Sequence, residues 1–339
     1  MKKIIIITIA VLALFTSCNL DNQGVFAEVI DRTPSDNRKL SAIGLSSDEK
    51  TLYFSSVHGI EAYDIANSSY ETLDDSANAR KISISFMIDD KIVYGVTKAN
   101  QDKVEFTGFY LCDPSDKSTK TLTVRNVPAL TGSWDKYAHD ANGNVYGAVL
   151  SGETLSFIEI CSAPGVEAKR FVTRMDNIFV FTSDASSETP ATSTLLYYLF
   201  DGTSLTLITG LDNPGTIRSV AKESDTSIIA SFSSDNSSAA YRITDTAAHK
   251  VGNVVGSKIS RNFASFVEDG YLYYAFDKSS SLYRMNLNDG ETSSNTISKI
   301  SNVAIVGYYR IDDTHYRVCT SNNGFFTLTI NSDHSVTIN

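Results

Sequence analysis

The chain has 339 residues, 42% of them apolar, and sets 39 acidic against 29 basic residues for a formal net charge of −10. An acidic surface of this kind argues against nucleic acid as a partner and against charge-driven docking on anionic lipid. The apolar share is enough for a sizeable core, in one large all-β domain or two ordinary domains.

The N-terminus opens with Met1-Lys2-Lys3, followed by an apolar run from Ile4 to Phe15 broken only by Thr8. That run is too short for a bilayer-spanning helix of ~20 residues and fits the apolar core of a secretory signal peptide. Small residues, Thr16 and Ser17, precede Cys18, and Leu14-Phe15-Thr16-Ser17-Cys18 resembles the bacterial lipobox. The resemblance implies cleavage after residue 17 and fatty acylation of Cys18, palmitate included. Several acyl chains at ~0.8 kcal/mol per buried methylene would hold the protein at a membrane surface, with the anchor as its sole membrane contact. The expected address is the bacterial cell envelope, facing the periplasm or the cell exterior. Loss of residues 1–17 removes two lysines and no acids, leaving a net of −12. Residues 18–37 read as the acylated cysteine and a polar tether containing Pro34, with one candidate closing strand at Val25 to Ile30.

Cys112, Cys161 and Cys319 are left, an odd number that cannot all pair within one chain. Cys112 in FYLCDP and Cys161 in IEICSA read as equivalent positions in the third strands of neighbouring repeats. Without CxxC spacing they read as buried small hydrophobes.

From residue 38 to 339 a degenerate unit recurs, found most readily where Asp or Asn precedes an alternating apolar strand. Its seven copies are DEKTLYFS from Asp48, DDKIVYGV from Asp89, NGNVYGAV from Asn142, DNIFVFTS from Asp176, DTSIIASF from Asp225, DGYLYYAF from Asp269 and DTHYRVCT from Asp313. They are spaced 41, 53, 34, 49, 44 and 44 residues apart, a mean near 44. That period suits propeller blades, and the period-two alternation excludes helical repeats. The expected fold is therefore all-β, a seven-bladed β-propeller of four-stranded antiparallel blades, acting as a monomer. Third strands fall at Glu105 to Cys112, Thr154 to Cys161, Thr194 to Phe200, Ala239 to Ile243, Ser281 to Leu287 and Phe325 to Ile330. The fourth copy squeezes its first strand into Arg170 to Met175. The ring closes either with an outer strand at Ser335 to Ile338 or with Val25 to Ile30.

Ser47-Asp48-Glu49-Lys50-Thr51-Leu52-Tyr53-Phe54 followed by Ile60-Glu61-Ala62-Tyr63-Asp64 resembles the blades of the YVTN/lactonase-like propellers. Asp140-Ala141-Asn142-Gly143-Asn144-Val145-Tyr146 is similar to the turn of NHL and gluconolactonase-like blades. The resemblance implies the architecture and transfers no active site.

First strands line a propeller's axis, and most here are small or slender: Ser41-Ala42-Ile43-Gly44, Ile82-Ser83-Ile84-Ser85, Ser219-Val220-Ala221, Ala264-Ser265 and Val303-Ala304. The exception is the third, read as Trp134 to His139, with Trp134 and Lys136 facing one way and Asp135, Tyr137 and His139 the other. Trp134, Tyr137 and His139 are the candidate ligand contacts, with packing between blades as the alternative. Arg38, Arg80, Lys136, Arg170, Arg218 and Arg261 stand at the entries to first strands and would ring one mouth of the channel as an anion site, with solvated side chains that share no target as the favoured alternative. Excursions at Lys98 to Lys103 and Asp184 to Ser193 should share that face. The five histidines, His58, His139, His249, His315 and His334, have no ligand spacing. Asp140, Asn142 and Asn144 imitate a calcium loop but stop short of its further ligands. No metal, cofactor or catalytic set is expected. The reading is a non-catalytic envelope module for a protein or carbohydrate partner, the alternative a lactonase-like or other hydrolase with a metal near the axis.

Overall fold

The computed structural model describes residues 41–338 except 57, 77–81, 101–102, 141–142, 163–167, 170–178, 186–193, 213, 235–236, 256–262, 277–280, 297–304 and 321–323. Cys18, the tether, Val25 to Ile30, Arg38, Arg80, Arg170 to Met175, Arg261 and Val303-Ala304 lie outside the described residues.

Among the described residues there are 28 strands and no helix, and the strands follow one another in seven sets of four. The first set is β1 Ser41–Leu45, β2 Thr51–Ser56, β3 Gly59–Asp64 and β4 Ser69–Asp74. The second is β5 Ile82–Ile88, β6 Lys91–Asn100, β7 Lys103–Asp113 and β8 Ser118–Arg125; the third is β9 Leu130–Trp134, β10 Tyr137–Asp140, β11 Asn144–Ser151 and β12 Thr154–Ser162. The fourth is β13 Ala168–Lys169, β14 Phe179–Ala185, β15 Thr194–Phe200 and β16 Leu205–Leu207; the fifth is β17 Thr216–Lys222, β18 Ser227–Ser233, β19 Ser238–Thr244 and β20 Ala247–Asn253. The sixth is β21 Ser265–Glu268, β22 Tyr271–Tyr274, β23 Ser281–Asn286 and β24 Thr292–Thr296, and the seventh is β25 Ile305–Arg310, β26 His315–Thr320, β27 Phe325–Ile330 and β28 Val336–Ile338. Every set is an antiparallel meander. This is a β-propeller.

Tight turns at acidic residues make the meanders. Asp89-Asp90 and Asp269-Gly270 hold positive φ at both central positions, 49° and 58° in the first and 49° and 78° in the second. Such mirror-image turns match the right-handed twist of the strands they join. Six of the seven sequence copies are second strands, as expected: β2, β6, β14, β18, β22 and β26. The third is displaced by one strand. NGNVYGAV is β11, a third strand, and Thr154 to Cys161 lies in the outermost strand β12. The true second strand is β10, entered through a turn at Asp135 (φ 44°) and Lys136. Counting from Asp135 turns the uneven 53 and 34 residues into 46 and 41.

The second and third sets are fused. The outer strands β8 and β12 pair in parallel, with Thr123, Val124 and Arg125 opposite Thr154, Leu155 and Ser156, so these two sets form one eight-stranded sheet. The pairing covers two edges that would otherwise face water.

Burial is concentrated between sets. Seven apolar clusters each draw on two neighbouring sets, and together they run from the first set round to the seventh and back. Small residues let the inner strands approach: a Cβ on Gly44 of β1 would stand 2.5 Å from Cγ of Met87 in β5. Ser133 in β9 fastens its strand to β5 twice, accepting from the Ser85 amide at 3.0 Å and donating to the Ser85 carbonyl at 2.8 Å. Asp74 of β4, largely buried, accepts from the Tyr94 hydroxyl and, at 3.0 Å, from Thr119, which pins the first set to the second.

Closure joins residues about 250 positions apart. Arg317 of β26, 7% exposed, donates from Nε and Nη2 to the carbonyl of Ile65 at 3.1 and 2.8 Å, from Nη2 to that of Ala66 at 3.4 Å, and from Nη1 to Thr327 at 2.8 Å. Its guanidinium carbon lies 5.9 Å from the Tyr63 ring centre, and Phe325 of β27 stacks on that ring at 3.8 Å and 7°. The seventh set carries its own outer strand, β28, which pairs with β27. Of the two expected outer strands, Ser335 to Ile338 is therefore seen in place.

Replacing Arg317 by methionine keeps most of the volume but leaves the Ile65 carbonyl without its charged donor. The expected cost is about 2 to 3 kcal/mol. A denaturant melt of Arg317→Met with an unchanged midpoint would mean that closure does not depend on this residue.

Candidate functional site

Tyr137 and His139 belong to β10, the second strand of their set, so neither lies on an axis-lining first strand. The expected single strand from Trp134 to His139 is instead a hairpin, because Asp135 takes a left-handed φ of 44° and the chain reverses there. The register then pairs Tyr137 with Trp134 and His139 with Gly132. The first strand of this set is Leu130–Trp134, whose middle residues Thr131, Gly132 and Ser133 are small like those of its counterparts. Trp134 ends that strand, and its side chain lies outside the described residues.

The Tyr137 ring meets Phe200 edge-on at 5.1 Å and 84°, in the core shared by the third and fourth sets. Packing between sets, the alternative weighed for it, is what the structure shows. Lys136 holds its ammonium 5.7 Å from the centre of that ring. His139 is 6% exposed and lies against Gly132, where a Cβ would come within 2.5 Å of its Nε2. Its Nδ1 is 3.4 Å from the Asp140 carbonyl oxygen. Burial pulls the imidazole below its ordinary pKa, and the neighbouring Asp140 only partly opposes this. The buried Asp140 carboxylate accepts from the amide of Asn144 at 3.0 Å, from its Nδ2 at 2.8 Å and from the Tyr146 hydroxyl at 3.1 Å. Within the calcium-like run Asp140 and Asn144 thus bond to each other; Asn142 lies outside the described residues.

Of the expected cationic ring, Arg218 and Lys136 are described. Arg218, at the start of β17, is half-buried and donates from Nε to Ser233 at 2.7 Å. Burial lowers its pKa, with Tyr197 opposing. Its carbonyl accepts from the Phe263 amide at 3.0 Å, which ties β17 to the segment leading into β21. Lys136 corrects the expectation: it sits in the β9–β10 turn, at the far end of its first strand from the entry. It does not share a mouth with Arg218. The excursion expected at Lys98 to Lys103 is mostly strand, since β6 runs to Asn100 and β7 begins at Lys103; residues 186–193 of the other lie outside the described residues.

Glu61 was missed by sequence reasoning. In β3 it is 1% exposed and accepts from the Ser56 hydroxyl, which in turn accepts from the His58 amide at 3.0 Å. An acid between Ile60 and Ala62 reads as the solvent side of an alternating strand. Only its register opposite Phe54, a member of the closure core, shows that it points inward. Cys112 and Cys319 are buried and Cys161 partly so, all without disulfides. Burial, with Asp74 adding to it, raises the Cys112 thiol to about 11. Cys112 lies in a third strand and Cys161 in an outer one, so the expected equivalence does not hold. Among the described residues, no three His, Cys, Asp or Glu gather to hold a metal ion.

No protein-family model and no curated protein matches the chain. Solved structures do. A catalytically inactive virginiamycin B lyase from Staphylococcus aureus, with quinupristin, is 13% identical over 88% of this chain and 98% of its own, at a TM-score of 0.58. YCF48 from Cyanidioschyzon merolae is 10% identical over 90% and 98%, at 0.55. YCF48 bound to D1 peptide is 8% identical over 89% and 96%, at 0.54. At such identities the likeness shows the fold alone, and that fold serves enzymes and binding proteins alike.

The depressed His139 pKa links to stability. The unfolded chain takes up the proton first, near its ordinary value of ~6.5. Stability on this account is full above that pH and falls as the pH drops below it. His139→Gln should flatten the loss of stability between pH ~6.5 and the acid transition, read from melting temperatures across that window. An unchanged slope would assign the acid sensitivity to other groups.

Proposed function

We propose that the chain is an envelope-anchored, non-catalytic β-propeller that binds a protein or carbohydrate partner through the face where its first strands begin. One observation carries this reading: the ionisable side chains Arg218, Tyr197 and Glu61 near that face are committed to the scaffold. Arg218 is held by Ser233, the Tyr197 hydroxyl by the Gly215 carbonyl, and Glu61 by Ser56. What the fold offers a partner there is loop surface on a rigid support, the usual seat of binding. The propeller of YCF48 with a bound peptide shows that this architecture can serve such a role. The lipobox-like run before Cys18 supports the anchor, and the net charge of −12 after its cleavage supports a partner other than nucleic acid.

Two experiments address the two halves of the reading. Cys18→Ala should move the protein out of the membrane fraction or block its processing; unchanged association and cleavage would remove acylation. For the face, a photo-crosslinking side chain is placed at exposed His58, in the β2–β3 turn, or at exposed Asp90, in the β5–β6 turn on the opposite side. Position 58 should join an envelope component and position 90 should not. Equal labelling from both, or substrate turnover by purified protein with a bound metal, would sink the proposal and favour a hydrolase.

A further inference from the structure

Four serine side chains face the seam between the fifth and sixth sets. Ser219 of β17, Ser231 of β18, Ser238 of β19 and Ser265 of β21 are 0, 0, 4 and 2% exposed, and none of their Oγ atoms has a hydrogen-bond partner in the protein. Strand register puts them on facing walls. Ser219 stands opposite Ser231, and Ser231 opposite Ala240; Ala240, with Ala221 and Ile229, belongs to the core that the fifth and sixth sets share. Two residues further along β18 on the same face, Ser233 stands opposite Ser238. From the other wall, Ser265 stands opposite Tyr274, a member of that same core. The hydrogen bond from the Phe263 amide to the Arg218 carbonyl draws the two walls together at this level.

Directly opposed residues on antiparallel strands lie ~5 Å apart and diagonal ones ~7 to 8 Å apart, so Ser219 and Ser231 are immediate neighbours and Ser238 is the diagonal neighbour of Ser231. A hydroxyl buried without a partner costs about 1 to 3 kcal/mol, and four in one seam are not a tolerable accident. The occupant they suit is neutral, small, and able both to donate and to accept. Arg218, the charged group beside them, already gives its Nε proton to Ser233. A buried water needs two to four polar partners, which the four serines can provide. We propose that this seam is a sealed binding site for a small cluster of water molecules, which bridge the fifth set to the sixth beside the apolar core the two sets share.

The test combines stability with a count of long-lived internal waters by magnetic relaxation dispersion of the water oxygen, on the full folded chain. In the double variant Ser219→Ala, Ser231→Ala the count should fall by at least one and the melting temperature should drop. Should that variant fail to fold, Ser265→Ala alone is measured in the same way, with the same loss expected. An unchanged count overturns the proposal whatever the melting temperature does. A rise in melting temperature overturns it too, because removing a truly unpaired buried hydroxyl relieves a penalty, whereas removing one that holds a water creates one.

Discussion

A ring has to be closed by contacts that no local rule provides, and here they rest on Arg317 and Phe325 meeting the end of β3. Each of the other seams joins sets that follow one another in the chain, so each can form from neighbouring segments. The closing seam brings together residues separated by nearly the whole repeat region. Its chemistry is also different. A buried guanidinium satisfied by two backbone carbonyls and a threonine, flanked by a stacked Tyr63–Phe325 pair, specifies one register in a way that an apolar face alone does not. A slip of one residue between β26 and β27 would turn Phe325 and Thr327 to the other face, away from Tyr63 and from the cation.

Much of the architecture was legible because a second strand flanked by acidic turn residues is a strong local pattern. Asp89-Asp90 and Asp269-Gly270 can hold positive φ at little cost, and alternating apolar residues then follow with a period of two. The third set misled for the same physical reason. Asp140 to Asn144 is also a polar turn before an alternating strand, and it outscores Asp135-Lys136, whose following strand Tyr137–Asp140 has only four residues and two polar ones. The uneven intervals of 53 and 34 residues were the warning. Reading Trp134 to His139 as one strand gave an apparently bulky axis wall that does not exist.

The site was far less legible, because strand alternation tells which residues share a face but not which face meets which neighbour. Glu61, Ser231 and Ser238 look like ordinary solvent-side residues in the sequence, and Ser219 and Ser265 like small residues that merely line the axis. Their burial depends on sets packing against one another, a property of the ring and not of the repeat. Tyr137 shows the converse. It looked like a ligand contact because of its polar and aromatic neighbours, yet its ring is used against Phe200 of the adjoining set.

The parallel pairing of β8 with β12 has a mechanical consequence. Outer strands diverge with distance from an axis, so a seam between independent sets can open like the pages of a book while its inner contacts hold. Between the second and third sets the backs are stitched by hydrogen bonds as well as the fronts by Ser133. That pair cannot hinge; it moves as one slab. Any breathing of the ring is thereby displaced to the remaining seams, and the stiff arc forms a fixed frame against which the others flex.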